Sequence, residues 1–559
     1  WSSAHLCGRF LGQPELILRT ALLPTLTVVA ISIFMVAHLF FRVPIFPFSP
    51  DSANYIEQAR NLIQNGLTFS IPSGANGMDK MPSPLFPIGF PIILAFFSMF
   101  GFDAQEASIA VGWLSAILFP ALLYICFQKQ IGPLYAAILA GLSALSPGVL
   151  TYAPMGLTDI FSLILAVGAI GLVLNSRSTT FFFVGGVVAG LAYAVRNAHI
   201  ALLAALAVYF LYLWVSNPAQ RTQTIKQATV FAVGASLIIL PLLLRNLMIF
   251  GALNPYEMPL STVSAVHNIR VYIQEFVYDL TALRSLGIFV GWSTQGLVFL
   301  LALVIGVSGM LMIVWRGQLT EKKKKTIFLC ATYSIIGTCV VIAARSRYEW
   351  GEMINIRHTL QYTPFFLAAL LAAIPSANSD AALSFARKTG LTLVFFLGIF
   401  HTLYAHKLGA EYQQSMRRSL DAMNAYQNGK NHLCVSEKNT LLMSNWEYVF
   451  SIQCAAHAQN MEPVNLQCDG QAPLAKNKAE RCHTLVNGIL SLSDKLAGRS
   501  IRAGFFPGRS GININNLPLP EADILSLQNS GWDIVQNNAN GLLLSYQSNS
   551  TKNSGHGLK

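Results

Sequence analysis

Charge is scarce in this chain. Only 11% of its 559 residues are Asp, Glu, Lys or Arg, against roughly 25% in an average soluble protein. The length alone would suggest about three or four soluble domains, and the shortage of charge excludes that reading. There is no P-loop, no G-x-S-x-G and no H-E-x-x-H. Those absences argue against ATP-driven transport and against the common hydrolase and zincin classes. No C-x-x-C pair offers a zinc site. No repeat of fixed period is visible, and the duplicated halves typical of many transporters are missing. The net charge is +12, yet no compact basic-aromatic module accompanies it, so nucleic acid is not an expected partner.

What the chain has in quantity is hydrophobic sequence, 53% of its residues. Apolar runs of about 17–22 residues recur from Thr20 to Ala405, each long enough to cross a bilayer as a helix. They read as about eleven spans, near 20–41, 107–127, 131–150, 158–174, 179–195, 200–216, 228–244, 287–315, 326–344, 359–375 and 389–405. The expected fold class is therefore an α-helical polytopic membrane protein. The first run lacks a small-residue cleavage site and reads as an uncleaved anchor. The run 84–100, "PLFPIGFPIILAFFSMF", is short and proline-rich, and reads as a helix lying in or dipping into the outer interface. The run 287–315 is too long for a plain span and begins with an interfacial turn near "GWSTQG" in this reading.

Basic residues orient the spans. Lys129, Arg177, Arg221 with Lys226, Arg316 with Lys322–Lys325, and Arg387 with Lys388 fall in alternate loops, which marks those loops as cytoplasmic. An odd number of spans then sends residues 406–559 outside. There the texture changes: short apolar stretches such as "GLLLSY" alternate with Asn, Gly, Ser and Pro clusters, the pattern of a small α/β domain ending in a disordered "SNSTKNSGHGLK". Two domains follow: a membrane domain, 1–405, with an outer interfacial loop at 42–106, and a soluble outer domain, 406–559. Cys434, Cys454, Cys468 and Cys482 all lie in that tail. In an oxidising compartment they can form two disulfides, in any of three pairings.

With this orientation, polar residues converge on the outer side. Asp51 stands in the first outer loop, in "FPFSPDSANY", and Asp159 opens the fourth span in "APMGLTDIF". Arg196 and His199 lie in "VRNAHI", Arg245 ends the seventh span, and "RSRYEWGEMINIRH" carries Arg345, Arg347, Glu349, Glu352, Arg357 and His358. Charge at a membrane boundary is costly, so such a set is by default a functional-site hypothesis. Plainer readings stand beside it. Asp51 follows Ser49-Pro50 and can serve as a first-turn acid complementing a helix dipole. Asp159 can do the same, and Arg345 or Arg347 can contact lipid head groups.

Several stretches, in order, resemble the GT-C superfamily of membrane glycosyltransferases, whose donors are sugars on polyprenyl or dolichyl phosphate. "DSANYIEQARNLIQNGLTFS" is similar to the family's first outer loop, and "MPSPLFPIGFPIILAFFSMFG" to its Pro-rich segment. "LSALSPGVLTYAPMGLTDIFSLIL" is similar to the third and fourth spans joined by a loop with the second acid. "GLAYAVRNAHIALLAALAVYFL", "LPLLLRNLMIFGALNP" and "INIRHTLQYTPFFLAAL" resemble later segments. The resemblance covers most of residues 20–405, and it is to families of the protein O-mannosyltransferase and lipid A aminoarabinose transferase type. One departure is that Asp51 is followed by Ser52 where many relatives carry two adjacent acids.

The resemblance implies transfer of a hexosyl or pentosyl group from a polyprenyl-phosphate-linked sugar to a lipid, glycan or protein acceptor, with inversion, at the outer face of a membrane, expected to be a bacterial inner membrane. Asp51 would be the base, and Asp159 would orient the acceptor or help hold a divalent ion, Mg²⁺ or Mn²⁺. Arg357, Arg347 and Arg245, with Arg345 and His358, would bind the donor phosphate, since arginine forks suit phosphate oxygens. Rival readings are a lipid-linked glycan polymerase or ligase, a transporter or flippase, and a non-catalytic partner in envelope assembly.

Overall fold

In lipid, a backbone has no water to satisfy its N–H and C=O groups, so apolar spans fold as helices. The computed structural model describes residues 14–41, 50–66, 86–176, 178–256, 260–283, 319–348, 353–374 and most of 388–407. In the tail it describes 440–444, 461–463, 500–505, 518–538 and 541–546, with residues 431 and 489 besides. In chain order the helices are α1 (Pro14–Phe41), α2 (Pro50–Asn65), α3 (Gly89–Ser98), α4 (Ala104–Ile131), α5 (Pro133–Ala144), α6 (Pro147–Tyr152) and α7 (Thr158–Asn175). They continue with α8 (Thr179–Val195), α9 (Ile200–Ser216), α10 (Arg221–Phe250), α11 (Ala265–Thr281), α12 (Glu321–Arg347), α13 (Ile356–Thr359) and α14 (Thr363–Ala373). A further helix, α15, covers 394–407, and α16 (Glu521–Asn529) lies in the tail. Six helices among the described residues are long and apolar enough to cross a membrane, and α3, α5, α8 and α14 are shorter apolar helices.

Chain contacts divide the protein into two compact units. The first comprises 1–43 and 84–412, the second 44–83 and 413–559. In the first unit α7 packs between α4 and α8, α8 packs against α10, and α12 packs against α9, α11 and α14. One large apolar core runs through it, including Phe119, Phe127, Leu163, Ile170, Tyr333 and Phe365. Local chemistry places the helix ends. Asp103 caps α4 by accepting from the Gln105 N–H at 3.2 Å, while Glu106 reaches back to the Asp103 N–H, a reciprocal capping box. The α4–α7 pairing is tied by Asn175, whose Nδ2 donates to the Cys126 carbonyl at 2.7 Å.

The span expected over 131–150 is not one continuous helix. It is α5, of 12 residues, about 18 Å long, and then a separate helix α6. The break falls at Leu145–Ser146 because Pro147 disfavours helical backbone in the residue before it. Ser146 instead caps α6, its Oγ accepting from the Val149 N–H at 3.3 Å. The run expected at the outer interface is α3, a 10-residue helix. The segment 287–315 lies outside the described residues.

The second unit holds α2 and a five-stranded sheet of order β2-β1-β3-β5-β4. Its strands are β1 (Thr440–Ser444), β2 (Met461–Pro463), β3 (Ser500–Phe505), β4 (Trp532–Asn538) and β5 (Gly541–Tyr546). β1 runs parallel to β2 and β3, while β5 is antiparallel to β3 and β4. Leu542, Leu543 and Leu544 of β5 are buried, as are Ala503 and Trp532, so the "GLLLSY" run is a central strand covered on both faces, where continuous apolar sequence is expected. The α/β expectation for the tail is met. Cys434, Cys454, Cys468 and Cys482 lie outside the described residues.

Candidate active site

Three separate segments of the first unit meet at Asp159. It lies in the first turn of α7, where the helix dipole favours an acid, and it is fully buried. Its Oδ1 accepts from Arg196 Nη1. Its Oδ2 accepts from Arg357 Nε at 3.0 Å. Gln361 Nε2 donates to the Asp159 backbone carbonyl at 2.7 Å, and Ser162 Oγ donates to the same carbonyl at 3.1 Å. A buried carboxylate without compensation would be untenable. Here two guanidinium groups compensate it through charge-assisted hydrogen bonds.

Each arginine is held by its local backbone. Arg196 follows the last residue of α8 in extended conformation (φ −149°, ψ 115°), with its N–H on the Ala192 carbonyl. Arg357 belongs to α13, whose cap is Asn355: Asn355 Oδ1 accepts from the Arg357 N–H at 2.9 Å. The Asn355 N–H in turn donates to His358 Nδ1 at 3.2 Å. Burial, with the positive Arg196 and Arg357 nearby, holds the His358 imidazole well below its usual range. The ring is therefore neutral, and because Nδ1 accepts, its proton sits on Nε2. His358 orients the arginine segment and brings no charge of its own.

The remaining arginines are placed differently. Arg345 is buried and donates from Nη1 to Ser261 Oγ at 3.2 Å and to the Tyr348 carbonyl at 3.1 Å. Arg347 is exposed, its guanidinium 5.5 Å from the centre of the Tyr348 ring. Arg245 is half-buried, bonded to Asn246 Oδ1 at 2.9 Å and stacked over Phe250 at 5.5 Å. Of the expected residues, then, Asp159, Arg357 and His358 are brought together with Arg196, while Arg347 and Arg245 sit on their own aromatic neighbours. Asp51 is a half-buried first-turn acid of α2 in the second unit. Glu349 and Glu352 lie outside the described residues.

Sequence reasoning placed Arg196 on the outer side without assigning it a partner, and it passed over Gln361, Tyr333 and Asp279. Arg196 had a signal, a lone cation at the non-basic end of a span. Tyr333, whose hydroxyl meets His199 Nδ1 at 2.9 Å, looks like any aromatic in a span.

A divalent ion does not fit at Asp159. Both of its oxygens are taken by arginine N–H groups, and two adjacent cations oppose a third. Among the described residues no group of three or more His, Cys, Asp or Glu side chains is arranged to hold a metal.

No protein-family model matches the chain, and no curated protein matches its sequence. Solved structures do match its fold. The apo structure of ArnT from Cupriavidus metallidurans aligns over 93% of this chain and 97% of its own, with a TM-score of 0.52 at 13% identity. The same protein bound to undecaprenyl phosphate aligns over 93% and 98%, with a TM-score of 0.54 at 11% identity. The likeness is one of fold: this chain and ArnT share their architecture over nearly their whole lengths. The apo oligosaccharyltransferase of Archaeoglobus fulgidus also matches, over 78% of this chain and 64% of its own, with a TM-score of 0.48 at 14% identity.

Proposed function

We propose that this protein is a multi-pass membrane glycosyltransferase. It moves a sugar from a polyprenyl-phosphate donor to a lipid, glycan or protein acceptor at the outer face of the membrane, with the tail on that same side. The observation that carries this reading is the Arg196–Asp159–Arg357 assembly in a GT-C fold. A preorganised pair of guanidinium groups suits a lipid phosphate that becomes a leaving group, because it stabilises the charge left on phosphate as the sugar departs.

In this reading Asp159 is a positioning residue. It fixes both guanidinium planes and neutralises part of their mutual repulsion. The acceptor hydroxyl or amine loses its proton to a base, the role for which the sequence offers Asp51. The acceptor oxygen or nitrogen attacks the anomeric carbon as the bond to the phosphate oxygen breaks, so configuration inverts. The lipid phosphate leaves as its anion, held by Arg357 and Arg196. No step requires a metal.

The test is transfer by the purified protein in lipid nanodiscs, supplied with sugars on undecaprenyl phosphate and, in parallel, on undecaprenyl pyrophosphate. Sugar release from the monophosphate, with stoichiometric gain by an acceptor, supports the reading. Release from the pyrophosphate alone would move the protein to the polymerase or ligase class. Mass spectrometry of surface glycolipids and glycoproteins, with and without the protein, then identifies sugar and acceptor.

A further inference from the structure

Behind the arginine pair is a second buried carboxylate. Asp279, in the last turn of α11, is fully buried. Its Oδ1 accepts from the Gly148 N–H at 2.7 Å, and its Oδ2 accepts from Thr363 Oγ1 at 2.6 Å. The Ser146 side chain supplies a further hydrogen bond. Gly148 has to be glycine for this approach, since a Cβ there would come within 2.7 Å of both Asp279 Oδ1 and Leu360 Cβ.

The partners of Asp279 belong to the two segments that build the site. Ser146 and Gly148 start α6, which leads into Asp159 at the head of α7. Thr363 starts α14, two residues after Gln361, which binds the Asp159 carbonyl, and six after Arg357. One carboxylate therefore bonds both segments at once. We infer that Asp279 is a positioning residue which sets the spacing between the Asp159-bearing and Arg357-bearing segments, and so tunes the affinity of the site for a lipid phosphate. This rests on the donor reading proposed above.

The energetics support a role beyond stability. α11 is not among the helices apolar enough to span, and it lies in the outer loop between spans by the charge pattern. Burial pushes the Asp279 carboxyl up to about 6, against the hydrogen bonds from Thr363, Gly148 and Ser146, with Glu275 adding to the rise. The groups facing it are Glu275 and Tyr272 on its own helix and His401 of α15, whose ring lies against the Asp279 backbone. α6 and α14 present it with uncharged donors. A carboxyl raised in the fold above its unfolded value, about 3.9, contributes stability that is present below that value and lost as pH rises through about 6. At neutral pH the fold thus keeps an ionised group that it would be more stable without. Perturbed groups retained in this way concentrate at functional sites.

The experiment compares the full-length parent with Asp279→Asn, which keeps the size and one acceptor. The expected result has three parts. Thermal stability of the variant equals or exceeds that of the parent at pH 8 and falls less between pH 5 and pH 8. Hydrogen exchange in residues 353–363 rises. Undecaprenyl phosphate binds about tenfold more weakly, with turnover at saturating donor within about twofold of the parent, the signature of altered binding rather than altered chemistry. Asp279→Glu, which restores the charge, recovers part of the affinity. Unchanged exchange at 353–363 and unchanged phosphate affinity would overturn the inference, as would a loss of stability at pH 8 that accounts for the weaker binding. If exchange rises in the variant but the parent binds no undecaprenyl phosphate at any pH, the clamp stands and the donor reading falls.

Discussion

Arg357 Nε meets Asp159 Oδ2 at 3.0 Å although 198 positions of sequence separate them. Arg196 closes on the other oxygen. The side chains of both arginines are largely buried, at 16% and 12% exposure, and that of Asp159 is fully buried, so the three form one electrostatic unit whose members cannot be altered independently.

Removing Asp159 leaves two buried cations facing each other. Asp159→Ala is expected to destabilise the protein by about 3–5 kcal/mol, the usual consequence of breaking a buried pair from one side. Thermal unfolding in detergent measures it. The double variant Asp159→Ala/Arg196→Ala should recover part of the loss, and a melting curve of Asp159→Ala that overlays the parent would show the pairing to be loose.

Arg357 is expected to bind donor phosphate through a planar fork, which lysine cannot reproduce. Arg357→Ala should weaken binding of undecaprenyl phosphate and lower turnover together, and Arg357→Lys should recover less than half of the lost binding free energy. Arg347→Ala, at an exposed side chain stacked on Tyr348, should change binding by less than about threefold, or about 0.6 kcal/mol. Titration by calorimetry ranks the three, and an equal effect at Arg347 would displace Arg357 as the phosphate ligand.

Asp51→Asn separates the base from the helix-start acid. Loss of a general base costs about 10²–10⁴ in rate, whereas Asn replaces a terminal acid at small cost in stability. The expected outcome is transfer reduced by at least about a hundredfold with undecaprenyl phosphate affinity and melting temperature near those of the parent. Near-parental turnover would leave Asp51 as a helix-start residue only.

From the alternation of basic loops, Lys322–Lys325 are expected on the cytoplasmic side. A cysteine introduced at Gln318, in a variant lacking accessible native thiols, should resist an impermeant maleimide in intact cells and react once the membrane is opened. Labelling in intact cells would invert the topology. One lysine of that run is no simple anchor: Lys323 is buried and donates to the Ile374 carbonyl at 2.7 Å, at the end of α14.

The sequence by itself determined the class of protein, the placement of most helices and the character of the tail. It could do so because transfer of apolar chain into lipid is large, local and additive, so each run of about 20 apolar residues declares itself. It also exposed Asp159, Arg196 and Arg357 as candidates, because a charge that survives at a membrane boundary is conspicuous. What it could not show was pairing. That Asp159 bonds each of its oxygens to an arginine depends on α7, α8 and α13 converging on one point. Asp279 carried no signal at all, since "EFVYDLT" reads as an ordinary amphipathic helix end, and its role exists only because Gly148 and Thr363 are brought against it. Local composition reports the cost of placing a group in lipid or water, whereas the partner that offsets that cost comes from distant segments and is chosen by the packing of the whole chain.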